Sequence, residues 1–314
     1  MAPFAHNTGI RQRLLVIFPG ALGDLICLVP ALGAISRRHP GVSLELAARL
    51  ELARFAVGRM GIAQGHSIDR REMSHLFIEG GSPEARAFFG AFNHIYSFFA
   101  DDDPCFKRSL AAIAKSVSFM PFRPPGTRHA AECYLRALGE MAESELEARI
   151  GLLDQDRQSA SRELARIELV PGDYLLVLPG SGSPKKNWPA ENFAELAHRV
   201  APRGRSLVVL GPAEAALEPY FMARGFAVLS NPDLGEVAGI AHFARAFVGN
   251  DSGVSHLASA AGARGIVLFG PTDPARWRPL GQVEVIRREP LDRLTVGEAA
   301  ARLQPLLTNG RHDG

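Results

Sequence analysis

Cysteine is scarce in this chain. Cys27, Cys105 and Cys133 are far apart and odd in number. They show no metal-ligand spacing and build no disulfide framework, so reduced thiols in a cytosolic setting are the plain expectation. Long apolar runs are missing too. The longest, Leu25 to Ile35, is too short to span a bilayer and reads as a buried helix. The first dozen residues are polar and hold no apolar segment, so no secretory signal is expected. An excess of one charge is absent as well. The formal net charge is +2, too small to argue for a nucleic-acid partner. The turn Gly20-Ala21-Leu22-Gly23-Asp24 is neither a G-x-G-x-x-G fingerprint, which disfavours an NAD-dependent oxidoreductase, nor a P-loop. Tryptophan occurs twice, at Trp188 and Trp277, each beside a polar loop; either stacks on a base or sugar, or closes a core.

What is present is alternation of strand and helix. With 314 residues and 46% hydrophobic content, the chain has room for two domains with large cores. Leu14 to Phe18 is a continuous apolar run of the kind a central parallel strand needs when both its faces are covered. A helix pattern follows to about Arg38 and stops at His39-Pro40-Gly41. Short strands are expected at Val42 to Ala47, Ile95 to Phe98 and Val117 to Phe119. Residues Ser118 to Arg128, rich in Pro and Arg, read as a loop, and the charged stretch Glu140 to Glu168 as the crossing between halves. The second half is cleaner: strands at Tyr174 to Leu178, Leu207 to Leu210, Ala227 to Leu229 and Ile266 to Phe269. Helices are expected at Ala190 to Val200, Ala215 to Arg224 and Leu234 to Phe243. Repeated β-α-β order gives an α/β fold of two Rossmann-like domains with parallel sheets. The expected division is 1–165 and 166–314, with the last helix, Val296 to Leu307, packing back on the N-terminal domain.

Three polar loops carry the chemistry. Ligands of open α/β sheets bind beyond the carboxyl ends of the strands, and each of these loops follows a strand. In Phe247 to Pro279 an apolar run stops at Gly249, and Asn250-Asp251-Ser252-Gly253 opens a helix. A helix start has unpaired N–H donors and a partial positive charge, so it favours phosphate; Asp251 and Ser252 are also good caps of an ordinary helix. His256, one turn in, either donates to a phosphate or sugar hydroxyl or is simply packed. The second loop runs Gly180-Ser181-Gly182-Ser183-Pro184-Lys185-Lys186-Asn187-Trp188-Pro189. Its small residues let backbone approach an anion, the hydroxyls of Ser181 and Ser183 can donate, and Lys186, ahead of Lys185, supplies a charge. In the third loop Asp24 is either a general base held at a helix start or the cap of that helix. Asp273, between Pro271 and Pro274, is a second polar wall or a cap.

Taken together, the stretches LLVIFPGALGDLICLVPALGAISRRHP, PGSGSPKKNWPAENFAELA and NDSGVSHLASAAGARGIVLFGPTDPARW resemble glycosyltransferase family 9, the ADP-heptose:lipopolysaccharide heptosyltransferases. The resemblance covers most of the chain outside residues 50 to 165. It implies a GT-B fold, two Rossmann-like domains facing across a cleft. It implies an inverting, metal-independent transferase with no cofactor, moving heptose from a nucleotide sugar to a lipopolysaccharide-core or other glycan acceptor. It places the catalytic aspartate at Asp24, the phosphate lysine at Lys186, the diphosphate turn at Asp251, Ser252 and Gly253, and a further site residue at His256. A ribose-binding glutamate falls near Glu214, with spacing off by one. Gly23, Ser181 and Ser183 complete the expected donor set. Such an acceptor implies peripheral contact with the cytoplasmic face of the inner membrane. The chain departs from the family in its Gly-Ser-Gly-Ser loop, where threonine is usual. It departs also in its acceptor arginines: Arg49, Arg54, Arg59, Arg70 and Arg71 are scattered. A non-catalytic nucleotide-sugar-binding protein and a nucleotide-sugar epimerase are the competing readings. A binding protein would leave Asp24 buried against its own helix.

Overall fold

The computed structural model describes residues 12–78, 80, 82–123, 126–140 and 146–308. The polar N-terminal segment therefore lies almost wholly outside the described residues, as do residues 124–125 of the Pro- and Arg-rich loop and 141–145 of the charged stretch. The described residues form two compact units, one of 12–20 and 32–123, the other of 21–31 and 126–308. The sequence pattern put the division at 165/166. Here the second unit begins earlier and takes in the start of the first helix, α1 (Leu22–Arg38).

The first unit holds a five-stranded sheet of β1 (Arg13–Ile17), β2 (Ser43–Ala48), β3 (Gln64–Ser67), β4 (His94–Ser97) and β5 (Val117–Phe119). All pairs are parallel, in the order β3-β2-β1-β4-β5. The apolar run expected to be central is central: Leu15 faces Glu45 on one side and Ile95 on the other. Leu15 and Ile17 pack with Phe89, Phe92, Ile95 and Phe106 in one buried cluster. The edge strand β3, Gln-Gly-His-Ser, has no apolar alternation and is invisible to pattern reading.

The second unit holds β6 (Leu175–Leu178), β7 (Ser206–Leu210), β8 (Ala227–Ser230), β9 (Ala246–Asn250), β10 (Gly265–Phe269) and β11 (Val283–Arg287). They run parallel in the order β11-β10-β9-β6-β7-β8. The chain builds outward from β6 to β8, returns to the other side of β6 at β9, and builds outward again. That is the doubly wound order, with its switch point between β6 and β9. Its helices include α2 (Ala130–Ala137), α3 (Asp154–Arg166), α4 (Ala190–Val200), α5 (Leu234–Phe243), α6 (Gly253–Ala260) and α7 (Val296–Thr308).

Local chemistry explains these elements. α4 buries Phe193, Leu196, Ala197 and Val200 along one stripe, the period-3.6 face that its sequence showed. α3 is too polar for such a stripe, yet it packs closely on α5. A Cβ on Gly239 would sit 2.5 Å from the Asp156 carbonyl oxygen, so only glycine permits that approach. The expected helix Ala215 to Arg224 is instead a 3₁₀ segment, Pro212–Leu217, followed by the short helix Glu218–Met222. Proline removes the N–H that a continuous helix would need at Pro219. α7 packs on α4 and on strands β9 and β10 of its own unit, where the sequence pattern sent it to the N-terminal domain. Gly249 does not end its strand. Its missing Cβ makes room for the Ser255 hydroxyl, which would lie 2.5 Å away.

Candidate functional site

The switch point brings two of the expected loops together. β6 and β9 are paired, with Leu178 opposite Gly249, so the loop after β6 and the turn after β9 leave the same sheet edge side by side. Asn250 locks them. Fully buried, it donates from Nδ2 to the Pro179 carbonyl at 2.7 Å and accepts the Trp188 N–H on Oδ1 at 3.0 Å. Sequence reasoning put Asn250 in the turn and missed this role, since both of its partners are more than 60 residues away in the chain.

Beyond this lock the two loops share an ion pair. Lys186 Nζ lies 2.7 Å from Asp251 Oδ2. The lysine is half-buried and the carboxylate nearly fully buried. An ammonium has three donors, so the carboxylate aims Lys186 and leaves two donors for an anion. Lys185 is exposed, and no ion pair of it is found among the described residues. Ser252 caps α6, its hydroxyl accepting the Ser255 N–H at 3.3 Å. Ser255 Oγ then donates to the Asn250 carbonyl at 2.7 Å. The turn is thus held from within, and the first N–H groups of α6 precede any helical acceptor.

The Ser181 hydroxyl serves its own loop. It accepts the Ser183 N–H at 3.2 Å and points at Asn187 Oδ1 at 2.6 Å. Glu214 reaches the same loop from the far side, because β7 neighbours β6. A Cβ on Gly180 would sit 2.5 Å from its carboxyl carbon. Gly180 thus lies close against the Glu214 carboxyl group, and the glutamate that the spacing left loosely placed does reach this edge.

The start of α1 adjoins the start of α6. A Cβ on Gly253 would lie 2.9 Å from Leu22 Cβ and 3.1 Å from the Gly23 nitrogen. A Cβ on Gly23 would lie 3.4 Å from His256 Cδ2. Gly253 thus lets two helix N-termini approach, with Gly23 beside it. Asp24 sits in the first turn of α1, 6% exposed, and accepts the Ala21 N–H at 3.0 Å. It does cap its helix, as one reading held. It also acts electrostatically, together with Asp251, on two groups of this corner. Burial first, and then these carboxylates, hold the Cys27 thiol far above its usual range. Burial pushes His256 down to about 4 against the pull of Asp251 and Asp24, so its ring is neutral at pH 7.

Other expectations resolve differently. Trp188 closes a core: it is 1% exposed, donates from Nε1 to the Leu294 carbonyl at 3.0 Å and packs edge-on against Phe193. Trp277 is half-buried, with the Arg276 guanidinium 5.5 Å over its ring. Asp273 caps the short helix Pro274–Trp277 through the Ala275 N–H. The scattered arginines of the first unit do not make one patch. Arg59 donates to the Phe55 carbonyl, and Arg70 chelates Glu72 while lying 3.4 Å over Phe88. His129, unremarked in the sequence, is buried here. It donates from Nε2 to the carbonyl of Arg278 at 2.9 Å, 149 residues away.

Comparison with known proteins adds the identity of the chain. The sequence model of glycosyltransferase family 9 (heptosyltransferase) matches residues 113–297, more than half of the chain. Lipopolysaccharide heptosyltransferase 1 of Pseudomonas aeruginosa is 27% identical over 300 residues, covering 87% of this chain and 83% of that protein. A family 9 glycosyltransferase from Veillonella parvula superposes with a TM-score of 0.78 at 18% identity, covering 94% of this chain and 97% of the other. The Escherichia coli heptosyltransferase WaaC, solved with ADP, superposes with a TM-score of 0.70 at 18% identity, over 94% of this chain and all of that one. Two doubly wound parallel sheets, a capped turn at the strand edge and a family match over most of the second unit converge on one conclusion: the chain belongs to glycosyltransferase family 9, an enzyme of GT-B fold.

Proposed function

We propose that the enzyme transfers a heptose, or a closely related sugar, from an ADP-linked donor to a lipopolysaccharide-core or similar glycan acceptor, with inversion and without a metal. The observation that carries this reading is the Lys186–Asp251 pair beside the Ser252-capped start of α6, at the switch point of the sheet. A departing nucleoside diphosphate gains negative charge. In this reading Lys186, the N–H groups at Ser252-Gly253, the backbone of Ser181 and Ser183 and the Ser183 hydroxyl meet that charge. Asp251 aims the lysine. Glu214, at the next strand end, suits a ribose diol. Gly23 lies against this turn, and His256 backs it. Asp24 takes the proton of the attacking sugar hydroxyl as it meets the anomeric carbon. Two relatives support the donor and acceptor classes: WaaC was solved with ADP, and the Pseudomonas protein is named a lipopolysaccharide heptosyltransferase. Among the described residues no helix is long and apolar enough to cross a membrane. Contact with the inner membrane then comes from the acceptor, at its cytoplasmic face.

Thermal unfolding in a panel of nucleotide sugars tests this. A specific donor at about 100 times its Kd stabilises by roughly 2.7 kcal/mol. ADP-linked sugars raise the midpoint and UDP- or GDP-linked ones do not. Equal shifts from all bases would remove the ADP assignment. No shift from any would remove the donor site.

A further inference from the structure

The loop after β10 runs from Gly270 to Arg278 along the edge that carries the anion turn. β10 pairs with β9, and a Cβ on Gly270 would lie 3.6 Å from the Lys185 carbonyl oxygen, so this loop adjoins the lysine loop. Its far end is held at three consecutive residues. Arg276 donates to the Gly126 carbonyl. The Trp277 backbone bears on the His256 ring as an acceptor would. His129 Nε2 donates to the Arg278 carbonyl.

Each histidine is fixed from its other side as well. His129 Nδ1 accepts the Ala131 N–H at 3.2 Å, at the cap of α2, so the ring carries its hydrogen on Nε2. His256 Nδ1 lies 3.8 Å from Cys27 Sγ on α1. That thiol stays protonated and can donate to Nδ1, which leaves Nε2–H for the Trp277 carbonyl. The two rings thus tie α1, α2 and α6 to two successive carbonyls of one loop.

We propose that His129 and His256 are positioning residues that act as a pair, latching the Trp277–Arg278 segment so that the loop after β10 forms a fixed wall of the donor site. Neither ring needs to touch the donor, because both nitrogens of each are engaged within the protein. The latch works only with neutral rings. A proton on His129 Nδ1 would abolish acceptance from Ala131, and one on His256 Nδ1 would face the Cys27 thiol. Asp24 and Asp251 on the His256 side, and Glu132 on the His129 side, favour such a proton. Burial of both rings, Arg278 beside His129, and His129 acting on His256 oppose it. The proposal rests on reading the Asp251–Gly253 turn as the donor site.

Trp277 supplies the readout, since Trp188 is sealed in a core. The emission of Trp277 is the difference between a protein and its Trp277→Phe counterpart. His129→Ala should shift that emission to the red and raise its quenching by acrylamide, while His129→Gln, which keeps an N–H donor, should restore both. ADP affinity by calorimetry should fall about tenfold in His129→Ala and His256→Ala, the scale of one lost hydrogen bond, and recover in His129→Gln. Unchanged Trp277 emission in both alanine variants would overturn the latch. Altered emission with unchanged ADP affinity would overturn its role in the donor site. A wild type that binds no nucleotide would refute the donor reading, while the emission arm would still decide the latch.

Discussion

His256 gives a stability prediction with a definite sign. Its folded value is about 4, against 6.5 for the free side chain. Below pH 6.5 the unfolded chain takes up a proton that the folded chain refuses until about pH 4. Stability from the neutral ring is therefore complete above pH 6.5 and is lost as pH falls through that window. At about 1.4 kcal/mol per pH unit, the full span is worth roughly 3 kcal/mol. Other groups titrate in the same range, so the measurement is a difference. Wild type and His256→Gln are unfolded in urea at pH 7.5, 6, 5 and 4.5, and their stabilities subtracted. At pH 7.5 the glutamine variant should be the less stable, having lost packing and the ring's fixed partners. By pH 4.5 the gap should have closed by about 2–3 kcal/mol, because glutamine takes up no proton. A gap independent of pH would refute the buried neutral ring. A gap that widens on acidification would mean that Asp24 and Asp251 hold a charged ring in the folded protein, reversing the balance between burial and charge at this corner.

Four further outcomes follow from the same site. Asp24→Asn keeps an acceptor for the Ala21 N–H, so the thermal midpoint should hold, while transfer should fall by about 10²- to 10⁴-fold with ADP still bound; near-normal turnover would remove the base assignment. Lys186→Ala should weaken ADP binding by about tenfold or more in calorimetry, the scale of one charged hydrogen bond, and unchanged affinity would move the role to Lys185. Gly253→Ala places a methyl 2.9 Å from Leu22 Cβ and should lower both ADP affinity and turnover by pushing apart the starts of α1 and α6. Gly182→Ala meets nothing within 4 Å and should leave the unfolding midpoint alone, so a large loss of stability there would contradict the geometry.

Much of this protein is written in its local pattern. The runs at Leu14 to Phe18 and Tyr174 to Leu178 are apolar throughout because strands buried on both faces need no alternation, and both became central strands. The loops at Gly180 to Lys186 and Asn250 to Gly253 were legible because small residues, caps and a lysine have local reasons to stand there. Edge strand β3 and helix α3 were not legible, since a polar edge strand needs no apolar face and α3 buries little that is apolar beyond Ala160 and Leu164.

The sequence alone determined the fold class, the family resemblance and the residue types of the Asn250–Gly253 turn, all properties of neighbours along the chain. Only the tertiary structure decided which side chains meet. It set Asp251 on Lys186, Asn250 between two loops, Trp188 in the core and His129 on Arg278. Those pairings span 62 to 149 residues, and no local propensity encodes a partner at that distance. The pairings of Asp251 with Lys186 and of Asn250 with its two loops arise where the sheet reverses its strand order, because that is where strand ends far apart in sequence must emerge side by side.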